Sequence, residues 1–189
     1  MRFGLHISID EGIAKTPLKA AAAGCECFQI FSRSPHGGPA RKLGEKDAGD
    51  FRANMKKAKI KEAFIHSPYY INFASENNRI YYGSIGAIRS ELETADLLGA
   101  RGVVTHLGSA RDLGAEASKK KLIEGLVKVF EAPSPAKGQG AAPEYSRFKA
   151  KLLLEITAGS GNVMGDTFEE IAYFIAATEQ AVGKDALGV

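Results

Sequence analysis

The sequence predicts an α/β fold with parallel strands, on three observations. Short β-rich apolar runs alternate with helical stretches along the whole chain. Three of the runs end alike, in a metal-type ligand followed by a turn. Ala63-Phe64-Ile65 leads into His66 and Ser67-Pro68; Val103-Val104-Thr105 leads into His106 and Leu107-Gly108-Ser109; Leu152-Leu153-Leu154 leads into Glu155 and Ile156-Thr157-Ala158-Gly159. Finally, parallel strands send their C-terminal ends to one face, where active sites are built. Two imidazoles and one carboxylate gathered there make a zinc-type donor set.

The elements follow in order. Arg2 to Ser8 predicts the first strand. Gly12 to Ala23 predicts a helix, with Pro17 tolerable near its first turn and Gly24 as its stop. Cys25 to Phe31 is the second strand, and Ser32 to Leu43 is a Gly/Pro/Arg loop, long for its place and therefore a candidate for function. Glu45 to Ala58 is a Lys/Arg-rich helix, and Lys61 to His66 the third strand. Arg79 to Leu98 is the clearest helix: Ile85, Ile88, Leu92 and Ala95 recur at helical spacing before Gly99. Gly102 to His106 is the fourth strand. Ala115 to Phe130 is a helix with Leu122, Ile123, Leu126, Val127 and Phe130 on its inner side. Pro133 to Pro143 reads as a mobile surface loop. Lys151 to Glu155 is the fifth strand. Asp166 to Val182 is a helix with Phe168, Ile171 and Phe174-Ile175 at helical spacing, and Ala186 to Val189 begins a sixth strand. Five βα units and part of a sixth strand suit an open doubly wound sheet or most of a (β/α)8 barrel.

Composition narrows the class. The 189 residues are 44% hydrophobic, enough for one sizeable core, so residues 1–189 are expected to form a single domain. No apolar run reaches the roughly 18 residues of a membrane span. Cys25 and Cys27 are too close on one strand to bridge, which predicts reduced thiols and a cytoplasmic protein. The net charge of +3 permits an anionic partner without requiring one. Lys56, Lys57, Lys59 and Lys61, and the run Lys119-Lys120-Lys121, read first as solvated helix surface. No solenoid repeat and no glycine-rich phosphate loop is evident.

Five motifs, in order and at similar spacing, resemble the endonuclease IV family of zinc-dependent apurinic/apyrimidinic endonucleases. Gly4-Leu5-His6-Ile7-Ser8 resembles the family's Gly-Ala-His-Val-Ser, and Cys27-Phe28-Gln29-Ile30-Phe31 its Cys-Phe-Gln-Ile-Phe. His66-Ser67-Pro68-Tyr69-Tyr70-Ile71-Asn72 resembles His-Ala-Pro-Tyr-Leu-Ile-Asn. His106-Leu107-Gly108-Ser109 resembles His-Pro-Gly-Ser, and the stretch from Glu155 to Gly161 resembles Glu-Asn-Thr-Ala-Gly-Gln-Gly.

The resemblance implies a (β/α)8 TIM barrel of the xylose-isomerase-like type with a trinuclear zinc centre. His66 and His106 would bind one zinc ion, and Glu155 would bridge it to a second and serve as the catalytic carboxylate. The family's remaining ligands come from later strands, so the chain is expected to be an incomplete barrel, the N-terminal two-thirds of the domain, holding fewer ions and inactive by itself. For the intact enzyme the implied reaction is hydrolysis of the phosphodiester 5′ to an abasic site in double-stranded DNA, with zinc to activate water and hold the phosphate. Tyr69, and after it Tyr70, fall where the family places a wedge that replaces a displaced nucleotide. His36 stands about where the family has an arginine that enters the DNA, and Ile156 where it usually has asparagine. His6 faces the same mouth without an expected ligand role. The alternatives are a metal-dependent sugar isomerase or epimerase on the same barrel, and an inactive fragment.

Overall fold

The computed structural model describes residues 1–38, 43–132, 145 and 148–189. Its strands are β1 (Gly4–His6), β2 (Cys27–Ile30), β3 (Glu62–His66), β4 (Gly102–Thr105), β5 (Lys151–Leu154) and β6 (Leu187–Gly188). Its helices are α1 (Thr16–Ala22), α2 (Glu45–Ala58), α3 (Asn78–Leu98), α4 (Ala115–Phe130) and α5 (Phe168–Val182), with one 3₁₀ turn at Ile13–Lys15.

The strands form one six-stranded sheet in the order β1-β2-β3-β4-β5-β6. β1 to β4 pair parallel, with Phe28 beside Ala63 and Ile65 beside Val103. Each strand lies next to its chain neighbour. A doubly wound sheet must reverse its order at a switch point, whereas a barrel never does. The strand order therefore decides for the barrel type.

Local chemistry explains the elements. Phe28 and Ile30, Ala63 and Ile65, and Leu152 and Leu154 are the buried members of alternating patterns, as a pleated strand with one wholly covered face requires. Pro17 sits in the first turn of α1, where its missing N–H has no helical partner to lose. Thr167 caps α5 by accepting from the Glu170 N–H at 3.1 Å, and the Glu170 carboxylate reaches back to the Gly165 N–H at 2.6 Å.

The chain divides into two compact units. One comprises Met1–Tyr70, Ser90–Thr105 and Lys149–Leu153; the other comprises Ile71–Arg89, His106–Phe148 and Leu154–Val189. In the first, the Phe51 ring of α2 meets Phe28 of β2 at 6.1 Å, and Ile30, Ile65, Leu92 and Val103 are fully buried. In the second, Phe73, Leu122, Leu126 and Phe174 are fully buried. A Cβ at Gly125 would lie 3.0 Å from Phe73 and 3.2 Å from Tyr81, so the absent side chain lets those rings close on α4.

Several expectations are corrected. β1 is shorter than Arg2 to Ser8, and Leu5 within it is 57% exposed. α5 begins at Phe168 and not Asp166, because Thr167 takes the cap; Phe168 is thereby thrown outward, 70% exposed. Ile85, Ile123, Val127 and Ile175 are only half-buried, since the true inner stripes run through Ile88, Leu126 and Phe174. Part of the long loop after β2 and the whole Pro133 to Pro143 segment lie outside the described residues. No helix among the described residues is long and apolar enough to cross a membrane.

Candidate metal centre

His66 is the last residue of β3 and is held there by the ladder, opposite Val104 of β4. The following Ser67 N–H donates to the Val104 carbonyl at 2.8 Å, and Ser67 Oγ donates to Thr105 Oγ1 at 3.0 Å. The His66 ring is buried, with Nδ1 2.7 Å from the Ser67 carbonyl. A carbonyl can only accept, so Nδ1 carries a proton and donates to it.

A ring cluster surrounds His66. Phe31 stands edge-on to His66 at 5.4 Å and to Tyr69 at 5.3 Å, and His6 lies 4.4 Å from Phe31. The exposed His36 ring meets Tyr69 at 5.6 Å, and the Tyr69 N–H donates to the Pro35 carbonyl at 3.0 Å. Tyr69 and Tyr70 are 55% and 40% exposed, so both rings reach solvent. Partial burial lowers the His6 pKa; a hydrogen bond with Gln29 at 3.3 Å opposes this, and the nearby His66 adds to it.

His106 and Glu155 follow β4 and β5 directly. The turn after His106 is built on Gly108, at φ 108°, and on Asn72, whose Oδ1 accepts from the N–H groups of Ala74 and Ser109 at 3.0 and 3.3 Å. The loop after Glu155 is laced to that turn: Met164 N–H donates to the Gly108 carbonyl at 3.0 Å, and Ala110 N–H to Asn162 at 2.8 Å. Thr157 N–H donates to Gly165 at 2.8 Å, closing the loop on itself. The outcome is His106 Nδ1 at 3.4 Å from Glu155 Oε2.

His66, His106 and Glu155 each offer one ligand atom, and these atoms all lie within 4.8 Å of one another. The donor chemistry fits a divalent transition metal: two imidazoles and a carboxylate suit zinc, copper, iron or nickel better than magnesium or calcium. Ligands about 2.1 Å from a tetrahedral ion stand roughly 3.4 Å apart, the separation of His106 from Glu155. It is longer than a good hydrogen bond between them would be.

One functional feature escapes the sequence reading. Glu91 of α3 is fully buried and bound to Arg33 and Ser32, in the loop after β2, while Arg33 Nη2 donates to Ser90 Oγ at 2.9 Å. Burial raises the Glu91 pKa against the pull of Ser32 and Arg33. A carboxylate between Ile88 and Ala95 on the helical stripe was the available signal; a charge on the buried face must be paired. It anchors the loop that carries Pro35 and His36.

The whole of this geometry sits on sequentially ordered parallel strands, and the model of the xylose isomerase-like TIM barrel family matches residues 17–189. The chain belongs to that family. Among curated relatives it is similar to a probable endonuclease 4 of Carboxydothermus hydrogenoformans, 34% identical over all 189 residues and 60% of the relative. It is also similar to a probable endonuclease 4 of Cenarchaeum symbiosum, 35% identical over 93% of the chain and 59% of the relative. The chain thus spans about 60% of the length of these relatives. Among solved structures, endonuclease IV of Thermus thermophilus superposes with a TM-score of 0.76 at 27% identity, over 99% of this chain and 74% of that one. A D-tagatose 3-epimerase-like protein superposes at 0.62 with 18% identity, over 92% and 60%, a likeness of fold alone.

Proposed function

We propose that this chain carries part of a zinc centre for a DNA repair endonuclease that hydrolyses the phosphodiester 5′ to abasic sites in duplex DNA. The observation that carries the reading is the cluster of His66, His106 and Glu155 ligand atoms within 4.8 Å, on a chain whose curated relatives bear the name endonuclease 4. Zinc held there supplies the Lewis acidity that phosphodiester hydrolysis needs.

The chain's own residues supply the rest. The Ser67 carbonyl fixes the His66 ring through Nδ1, so Nε2 would be the atom that holds a metal. Glu155 would bring the negative charge that offsets a divalent ion held together with His66 and His106. Tyr69 stands beside His66 with an exposed ring, which supports a role in filling the space of a nucleotide turned out of the stack. An abasic nucleotide lacks stacking and costs less to extrude, so damage is selected by deformability and not by base sequence. His36 and Tyr70 flank Tyr69 and would touch the backbone, His36 with less reach and charge than an arginine.

The test offers an abasic duplex, an intact duplex and simple ketoses to this chain loaded with zinc, and to a chimaera that adds the rest of the Thermus thermophilus barrel. Preference for abasic DNA in both, with cleavage in the chimaera, is expected. Turnover of a ketose without abasic preference would replace the nuclease by an isomerase or epimerase.

A further inference from the structure

α4 presents Lys120, Lys121, Glu124 and Lys128 at helical spacing along one side. With Tyr81 and Tyr82 of α3 they line a cleft of about 400 Å³. Lys119 belongs elsewhere: it lies 3.5 Å from Glu116 and 3.8 Å from Glu170. Among the described residues Lys120, Lys121 and Lys128 have no carboxylate partner, so three ammonium groups face a cleft lined by the carboxylate of Glu124, with the charge of Glu131 also felt at Tyr81. Lys121 Nζ rests 5.0 Å above the Tyr81 ring, a weak resting place that an anion can compete with.

Tyr81 is the second, independent observation. It is 3% exposed, and its hydroxyl has no hydrogen-bond partner among the described residues. Buried hydroxyls are normally satisfied. Burial foremost, then the Glu124 charge, pushes its pKa up to about 12, so it remains a donor. Tyr82 beside it, ring centroids 5.0 Å apart, is 58% exposed and gives the cleft an aromatic rim.

We propose that this cleft binds successive phosphate groups of a nucleic-acid backbone, with none of its residues among the metal ligands. Lys120 and Lys128 are eight residues apart, about 12 Å along the helix. That is too long for one compact anion and suited to a strand. A phosphate oxygen that draws Lys121 off the Tyr81 ring gains the Tyr81 hydroxyl as a donor. The choice of a nucleic acid as the polyanion rests on the proposed function; the anion site itself does not.

The test is the salt dependence of binding of this chain to intact duplex, with zinc removed so that the metal ligands play no part. Each phosphate neutralised contributes about 0.9 to the slope of log K against log salt. Lys120→Gln/Lys121→Gln/Lys128→Gln is expected to lower the slope by roughly 2–3, and Tyr81→Phe to weaken binding at low salt with an unchanged melting temperature. An unchanged slope in the triple variant, or unchanged affinity in Tyr81→Phe, overturns the proposal. So does displacement of the duplex by inorganic phosphate at an equal phosphate concentration, which would make the cleft a small-anion pocket. Zinc-loaded protein that shows no abasic preference while the slope still changes sinks the endonuclease reading and leaves the cleft standing.

Discussion

Gly108→Ala tests whether the turn after β4 positions His106. Gly108 has φ 108°, a region that L side chains rarely adopt, and an alanine held there costs about 1–3 kcal/mol. Its Cβ would lie 2.2 Å from Asn72 Oδ1 and 2.7 Å from the Asn72 Cα. The second contact is with backbone, so a side-chain rotation does not relieve it. Moving Asn72 breaks the hydrogen bonds that its Oδ1 accepts from Ala74 and Ser109, each worth about 0.5–1.5 kcal/mol net. The sum is about 2–6 kcal/mol. At roughly 2–4 °C per kcal/mol for a chain of this size, a central value of about 4 kcal/mol lowers the melting temperature by about 8–16 °C. The assay is a thermal melt beside Gly83→Ala, where a Cβ meets nothing within 4 Å in the helix α3. That control should gain about 0.5–1 kcal/mol. Zinc titration follows on the folded fraction, because Ser109 and Leu107 fix the backbone that carries His106. A Gly108→Ala protein that melts within a degree or two of the parent and binds zinc equally would refute the reasoning.

Glu155→Gln should weaken zinc binding beyond the roughly 10–100-fold typical of outer-shell changes, with DNA affinity largely kept; competition against a chromogenic chelator measures it, and parental affinity would make Glu155 structural. Tyr69→Ala should cost about 1–3 kcal/mol of binding to abasic duplex, the range for a lost aromatic stack, and less on intact duplex; equal losses on both would make Tyr69 a packing residue. Arg33→Met leaves Glu91 buried without its counter-charge and should cost about 3–5 kcal/mol at pH 7. Because burial already holds the Glu91 pKa above the usual carboxylate range, the folded chain takes up a proton before the unfolded one does. The stability linked to this proton is therefore fully present below the unfolded pKa and is lost as pH rises through the folded one. Denaturant melts between pH 4 and 7 should accordingly show the Arg33→Met loss shrinking toward acid, and a loss independent of pH would put the fault in packing and not in charge.

The chain makes the alternation of strands and helices legible, because each period of apolar residues is local. α2 and α4 fall on the expected boundaries, Glu45–Ala58 and Ala115–Phe130. It also placed His66, His106 and Glu155 at successive strand ends, since a strand followed by a turn is written in consecutive residues. Strand 1 and the start of α5 were less legible. Leu5 looks like core but is exposed, and α5 starts two residues after Asp166 because Thr167 Oγ1 caps it by accepting from the Glu170 N–H. Packing between distant segments sets the sequential order of the sheet, which separates barrel from doubly wound sheet. It alone brought Arg33 to Glu91, 58 residues away, and Asn72 to Ser109, 37 away. The physical reason is the same in each case: periodicity reports what one segment buries, whereas a ladder neighbour, a counter-ion or a carbonyl acceptor is chosen by which distant segments the closed core brings within about 3 Å.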